Sequence, residues 1–241
     1  MALPRAILFD LDETILSFGR RELLLEEVAE RHAAMFAPFT PREAADRLEE
    51  AFRDFWSDGE RHRIWRQRPL VEARRFIAEQ AFADLAGRGA AALTVERAHA
   101  FADAFHEHRE AQMRCFPGAI ETLDAIAEAG VLMALVTNGT SEVQRDKIRR
   151  FDLARRFQHI QIEGEHGFGK PEERAYRHAL GALGVGAAET WMVGDNLEWE
   201  VAAPQRLGIF SIWHDHRGEG LPKDAHVTPD HIITRLDQLL D

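Results

Sequence analysis

Continuous apolar runs that end in polar residues limit what this chain can fold into. Ala6–Asp10 reads AILFD, Val131–Val136 runs into Thr137-Asn138-Gly139, Thr190–Val193 runs into Gly194-Asp195, and a fourth run spans Ile209–Trp213. None alternates apolar with polar, so each suits a strand buried on both faces of a parallel sheet. His159–Ile162 and His231–Ile233 are weaker candidates. Helical patterns lie between the runs. Ile120, Leu123 and Ile126 recur at helical spacing, with Gly130 placed to end the helix. Ser141 with Gln144 has the pattern of a capping box, and Pro171 suits a first helical position ahead of an Ala175, Ala179, Leu183 stripe. Strands alternating with helices predict right-handed βαβ units in an α/β fold, a Rossmann-like doubly wound parallel sheet core.

The stretch from Ser17 to Arg114 breaks this rhythm. It offers no strand and four helical segments, Glu22–Phe36, Pro41–Trp56, Pro69–Leu85 and Val95–Arg109. Thr40, Pro41 and Glu43 combine a cap, a proline at the first position and a capping-box acid. So long a segment between core strands is not a loop. The expected organisation is a catalytic core of residues 1–16 and 115–241 with an all-helical domain inserted over 17–114.

Bulk properties exclude several classes. Of the 241 residues 45% are hydrophobic, enough for a substantial core, and no apolar run reaches membrane-spanning length. The net charge of −11 argues against binding nucleic acid polymers. Cys115 is the sole cysteine, so no internal disulfide can form, and its plainest role is a small apolar filler. The N-terminus lacks the pattern of a secretory signal. A cytoplasmic protein, monomer or homodimer, is expected.

In open parallel sheets, ligands bind beyond the carboxyl ends of the strands. Asp10 and Asp12 follow the first strand, Thr137 and Asn138 the second, Asp195 the third, and Lys170 stands in a loop before a helix. The three acids offer hard oxygens without cysteine or paired histidine, which suits Mg²⁺ better than Zn²⁺. A carboxylate approaching a phosphate is repelled by about 4 kcal/mol per pair of unit charges at about 4 Å with an effective dielectric near 20. A divalent metal and the Lys170 ammonium would offset that, with Thr137 and neighbouring N–H groups cradling oxygens. The competing reading makes Asp12 and Glu13 ordinary loop acids and Lys170 a surface lysine.

DLDET at Asp10–Thr14, VTNG at Val136–Gly139, GFGKP at Gly167–Pro171 and VGDNLEWE at Val193–Glu200 resemble, in order, the four motifs of the haloacid dehalogenase-like hydrolases. The insert resembles that family's helical cap. The resemblance implies that Asp10 is a nucleophile forming an aspartyl-phosphate, and that Asp12 acts as general acid and then base. Thr137, Asn138 and Lys170 would hold the phosphoryl group. Mg²⁺ would be bound by the Asp10 carboxylate, the Asp12 backbone carbonyl and Asp195. One position departs from the pattern: the fourth motif normally places an aspartate where this chain has Glu200. The resemblance makes Glu200 a partner at one remove from the metal, with Glu198 as the alternative.

The activity this implies is Mg²⁺-dependent hydrolysis of a small phosphate monoester, a nucleotide or sugar phosphate. A dehalogenase is the first rival, but members of that branch typically lack the second acid of the first motif, here Asp12. Phosphomutases keep both acids, and a non-catalytic binding module would not need all four charged residues. Trp213–Arg217 is similar to the same region in pyrimidine 5′-nucleotidases and acylneuraminate phosphatases. His106-Glu107-His108 and His214-Asp215-His216 lack the spacing of a helical zinc pair and are expected to be solvated. Arg61, Arg63, Arg66 and Arg68 beside Trp56 and Trp65 form either a packed, solvated turn or a substrate-reading patch; the packed turn is preferred.

Overall fold

The computed structural model describes residues 2–65 and 68–241. In chain order, β1 (Ala6–Phe9) and β2 (Leu16–Ser17) precede helices α1 (Arg21–Arg31), α2 (Ala33–Phe36), α3 (Pro41–Ser57), α4 (Gly59–Trp65), α5 (Leu70–Gly87) and α6 (Val95–Ala111). Then follow β3 (Arg114–Cys115), α7 (Ala119–Glu128), β4 (Leu132–Thr137), α8 (Ser141–Arg150), β5 (His159–Ile162), α9 (Glu163–His166) and α10 (Glu173–Leu183). β6 (Thr190–Gly194), a wide π-type turn at Leu197–Ala202, β7 (Phe210–His214) and β8 (His231–Ile233) complete the chain. Two compact units result. One joins the residues up to Ser17 to Arg114–Asp241, and the other is Phe18–Met113.

The first unit carries a six-stranded parallel sheet in the order β5-β4-β1-β6-β7-β8. β1 is central and fully buried, as its unbroken AILF run requires; each large apolar side chain buried there contributes roughly 1.5–3 kcal/mol. Leu8, Ala134, Val136 and Met192 pack against Tyr176, Ala179 and Leu180 of α10 on one face. Phe9 stands opposite Leu135 of β4 and Val193 of β6. Asp10, Thr137 and Asp195 therefore leave three adjacent strands at nearly one level. The chain winds from β1 out to β5 and then from β6 out to β8, so β1 marks the topological switch point where such sheets bind ligands.

The inserted unit is all helical and aromatic inside. Phe36, Phe82 and Phe101 meet with ring centroids 5.5 to 5.7 Å apart. The Thr40–Glu43 capping box forms, with Pro41 opening α3. The segment expected as one helix over Glu22–Phe36 is two. His32 leaves helical geometry with φ −120° and ψ 20°, placing its ring edge-on to Phe101. α4 was not expected.

Other local expectations fail for tertiary reasons. Ser141 and Gln144 form no capping box: Thr140 precedes α8 without a side-chain cap, Ser141 donates to Glu165, and Gln144 turns into the core. Pro171 is not the first helical residue, since α10 starts at Glu173. The histidines expected in solvent are partly buried. His214 is 1% exposed, and His108 pairs with Glu27 at 2.5 Å. The Phe116 ring packs on His214 with its centroid 5.0 Å away, and the His216 ring lies at 5.8 Å. Among the described residues, no helix is long and apolar enough to cross a membrane.

Candidate active site

Asp10 follows β1 directly and is buried. Its Oδ1 takes the Lys170 ammonium at 2.5 Å, and its Oδ2 accepts from the Thr14 hydroxyl at 3.1 Å. Burial pushes the Asp10 carboxyl up, against the opposing pull of Lys170, and the Asp12 charge adds to the rise. Lys170 is itself 1% exposed and also meets Glu200 Oε1 at 2.7 Å. Burial alone would favour loss of its proton, but the charges of Asp10 and Glu200 prevail and raise its pKa. The sole ammonium at this point is thus shared by two buried carboxylates.

Glu200 sits in the π-type turn after β6. Its Oε2 accepts from the Asn196 N–H at 2.9 Å, and burial pushes its carboxyl up to about 7 against the pull of Lys170. Gly194 makes this possible, because a Cβ there would lie 2.0 Å from Glu200 Cγ. Glu198, the alternative for this position, is instead at the surface with Arg206 at 3.1 Å. Asp195 is only partly accessible. That enclosure, with the charges of Glu200, Asp10 and Glu13, pushes its carboxyl well above the usual range. Trp213 anchors the strand end by donating from Nε1 to the Asp195 carbonyl at 2.7 Å.

The Asn138 side chain is engaged within the protein. Its amide donates to the Lys170 carbonyl at 2.7 Å and accepts from the Lys170 N–H at 2.9 Å. That reciprocal clamp fixes the lysine's backbone beside β4. Glycines allow the approach: a Cβ on Gly169 would fall 2.5 Å from Asn138 Oδ1, and one on Gly164 would fall 2.8 Å from the Ser141 nitrogen. Thr137 is buried, and its hydroxyl accepts from Gln144 Nε2 at 2.6 Å.

Two residues that sequence reasoning passed over join the cluster. Lys147 reaches both carboxylate oxygens of Asp12 at 2.9 and 2.8 Å, and Gln144 donates to Asp12 Oδ2 at 3.1 Å. Gln144, Lys147 and Ile148 share one buried face of α8, a face that the polar run SEVQRDKIRR does not mark in sequence. In the helical unit, Arg61 and Arg68 stand over Phe55 and Trp65 at 5.3 and 4.7 Å. Arg66 and the side chain of Arg63 lie outside the described residues.

Asp10, Asp195 and Glu200 bring three acids to one ammonium, an excess that a divalent cation would neutralise. Among the described residues, no three ligating side chains already surround an ion-sized point. The donors that fit are two carboxylates, Asp10 and Asp195, with the Asp12 carbonyl. All are hard oxygens, as Mg²⁺ requires.

A buried Asp–Lys–Glu cluster thus lies at the switch point of a doubly wound sheet, where such folds bind their ligands. Residues 4–208 match the pattern of the haloacid dehalogenase-like hydrolases, and the chain belongs to that family. It is similar to phosphoserine phosphatase of Thermus thermophilus, 38% identical over 136 residues, which is 56% of this chain and 53% of that one. It is also similar to glyceraldehyde 3-phosphate phosphatase of Methanopyrus kandleri, 26% identical over 98% of this chain and 96% of that protein. The chain spans 53% and 58% of the lengths of the Thermus protein and of a glyceraldehyde 3-phosphate phosphatase of Pyrococcus furiosus. Among solved structures, the magnesium-bound HAD-hydrolase YfnB of Bacillus subtilis superposes with a TM-score of 0.68 at 22% identity, covering 98% of this chain and 97% of that one.

Proposed function

We propose that the protein is a Mg²⁺-dependent phosphatase that hydrolyses a small phosphate monoester through a phosphorylated Asp10. The observation that carries this reading is the Lys170 ammonium held between Asp10 and Glu200 in a buried site. An ammonium so placed can receive phosphate oxygens beside the attacking carboxylate. The named relatives act on phosphoserine and glyceraldehyde 3-phosphate, which supports small phosphate esters as the substrate class. Asp12, a second carboxylate on the same loop, favours ester hydrolysis over dehalogenation because an alkoxide leaving group needs a proton and a halide does not.

In this mechanism an Asp10 oxygen bonds to phosphorus as the ester P–O bond breaks, and Asp12 gives a proton to the departing oxygen. Lys170 and the Thr137 hydroxyl hold the transferring oxygens. Asp12 then removes a proton from water, which attacks phosphorus, releases phosphate and frees Asp10. Asp10, Asp195 and the Asp12 carbonyl would hold Mg²⁺, which when bound supplies the positive charge that offsets repulsion between carboxylate and phosphate. Glu200 orients Lys170, and Asn138 fixes its backbone.

A panel of phosphate esters, assayed for phosphate release with Mg²⁺ and with chelator, tests the proposal. Turnover of at least one small ester is expected with Mg²⁺, at least about 100-fold reduced by chelation and restored by added Mg²⁺. Full activity in chelator, or turnover confined to 2-haloacids, would overturn it.

A further inference from the structure

Lys147 is a buried lysine outside all four motifs, and it holds Asp12, an acid in the site that Lys170 does not reach. Its side chain is 9% exposed, and its ammonium bridges the two oxygens of Asp12 at 2.9 and 2.8 Å. Gln144, one helical turn earlier, is buried as well. Its Nε2 faces Asp12 Oδ2 at 3.1 Å, Thr137 Oγ1 at 2.6 Å and the Asn138 carbonyl at 2.9 Å. Asp12 itself remains one-third exposed, so without these contacts the carboxylate would be free to rotate in solvent.

A buried ammonium on a helix is an expensive anchor. Such groups are rarely enclosed unless a counter-charge and further hydrogen bonds compensate the lost hydration. Here the counter-charge is Asp12, which stands in the turn after β1, one residue before Glu13, a non-glycine residue at φ +58°. A helix of the α/β scaffold therefore dictates where a loop carboxylate points. General-acid catalysis depends on such placement, because misplacement by about 1 Å is enough to lose about two orders of magnitude in rate.

We infer that Lys147, assisted by Gln144, is the positioning residue for Asp12, and that it governs proton delivery to the leaving oxygen rather than attack by Asp10. The inference rests on the proposed phosphatase reading. In the first half-reaction the Asp10 oxygen forms the new bond to phosphorus, the ester oxygen departs, and that oxygen takes its proton from Asp12. Asp12 recovers a proton from the water that later attacks phosphorus. Lys147 keeps its own protons throughout. Its effect is confined to where the Asp12 carboxyl sits, so it should matter in proportion to how much the leaving group needs a proton.

Leaving-group dependence tests this directly. A simple alkyl phosphate and p-nitrophenyl phosphate are compared by kcat/KM, which covers the steps through first phosphoryl transfer. In Lys147→Met, kcat/KM for the alkyl ester should fall about 10- to 100-fold, within the usual range of general-acid contributions. For p-nitrophenyl phosphate, whose leaving group departs as a stable anion, the fall should be less than about threefold. Lys147→Arg, able to span both oxygens, should recover most of the loss. In an Asp12→Asn background, Lys147→Met should add little further loss on the alkyl ester.

Equal losses on both esters, or losses that persist undiminished in the Asp12→Asn background, would overturn the inference and leave Lys147 a structural residue. No loss on either ester would overturn it as well. Should Lys147→Met fail to fold, Gln144→Leu carries the same comparison with a smaller expected ratio, and a ratio of one there overturns the assignment. Failure of the wild-type protein to hydrolyse either ester is a different result, one that removes the phosphatase reading itself.

Discussion

The two units of this molecule bury different kinds of side chain. Among the described residues, every buried polar or charged side chain belongs to the α/β unit, from Asp10 and Thr14 through Gln144, Lys147 and Lys170 to Glu200 and His214. The buried side chains of the helical unit are alanine, leucine, isoleucine, valine, phenylalanine and methionine. An apolar interior gains stability in proportion to what it removes from water. Buried charges gain little net stability, and replacing them by apolar groups is often neutral or better. The α/β unit thus carries buried charges, Asp10, Lys170 and Glu200 among them, that burial alone does not favour, while the helical interior follows from apolar burial.

The largest expected effect breaks that contrast from the α/β side. Asp10→Asn should lower phosphatase turnover on the order of 10⁴-fold, since an amide is a poor nucleophile. Yet it removes one of three acids crowded around Lys170, so the unfolding temperature should change by no more than about 5 °C. Turnover and calorimetry on one preparation check both halves. A stability collapse accompanying the activity loss would mean that the cluster is structural.

Phe101→Ala probes the other unit. Phe101 meets Phe36 at 5.7 Å and Phe82 at 5.6 Å, and truncating a buried phenylalanine typically costs about 3–5 kcal/mol. The midpoint of chemical denaturation should fall accordingly. A near-normal midpoint would show that the aromatic cluster contributes less than its burial implies.

His214 gives a pH-dependent test. Burial, with the nearby His216, pushes its imidazole from 6.5 down to about 4. The unfolded chain therefore binds a proton that the folded chain refuses between those values. Stability should fall as pH drops from about 6.5 to about 4 and level off below, a loss of up to about 3 kcal/mol from this residue. His159, His106 and His216 are pushed in the same direction and add to the slope. Because burial disfavours the charged imidazole, His214→Leu should flatten the pH dependence. An unchanged slope in the variant would show that His214 is protonated in the folded state.

The same contrast explains what could be seen in the sequence. The runs AILF, LMALVT and TWMVG became adjacent parallel strands because their pattern is local and apolar on both faces. Asp10, Lys170 and Asp195 were legible because each follows or precedes such an element with a polar residue out of place. Lys147 and Gln144 were not. They lie in SEVQRDKIRR, a stretch so polar that it resembles a solvated helix, and only the approach of the Asp12 loop gives them something to hold. The Asn138 clamp on Lys170 was not legible, because it joins positions 32 residues apart. His214 was read from its polar neighbours, whereas its burial is decided by Phe116, far away in sequence. Local pattern carried the strands and the candidate acids at their ends; pairwise contacts between distant segments carried the rest.

The smallest expected effect concerns the one polar cluster of the helical unit that invites a functional reading. Arg68 stands over Trp65 at 4.7 Å and Arg61 over Phe55 at 5.3 Å. Trp65 in turn packs on Phe55 and Phe76 at 5.4 and 5.2 Å. These guanidinium groups are therefore engaged with the unit's own aromatic rings. At exposed sites a cation–π contact is worth about 0.5–1 kcal/mol, so Arg68→Ala should lower stability by no more than that. KM for the best phosphate ester should stay within about twofold of wild type. A rise in KM for that ester with little change for p-nitrophenyl phosphate would mean that Arg68 reads the substrate, because uniform binding lost on one substrate appears in its KM alone. That outcome would place a substrate contact in the unit whose described buried side chains are otherwise apolar, and the contrast between the two units would then hold for their interiors but not for their surfaces.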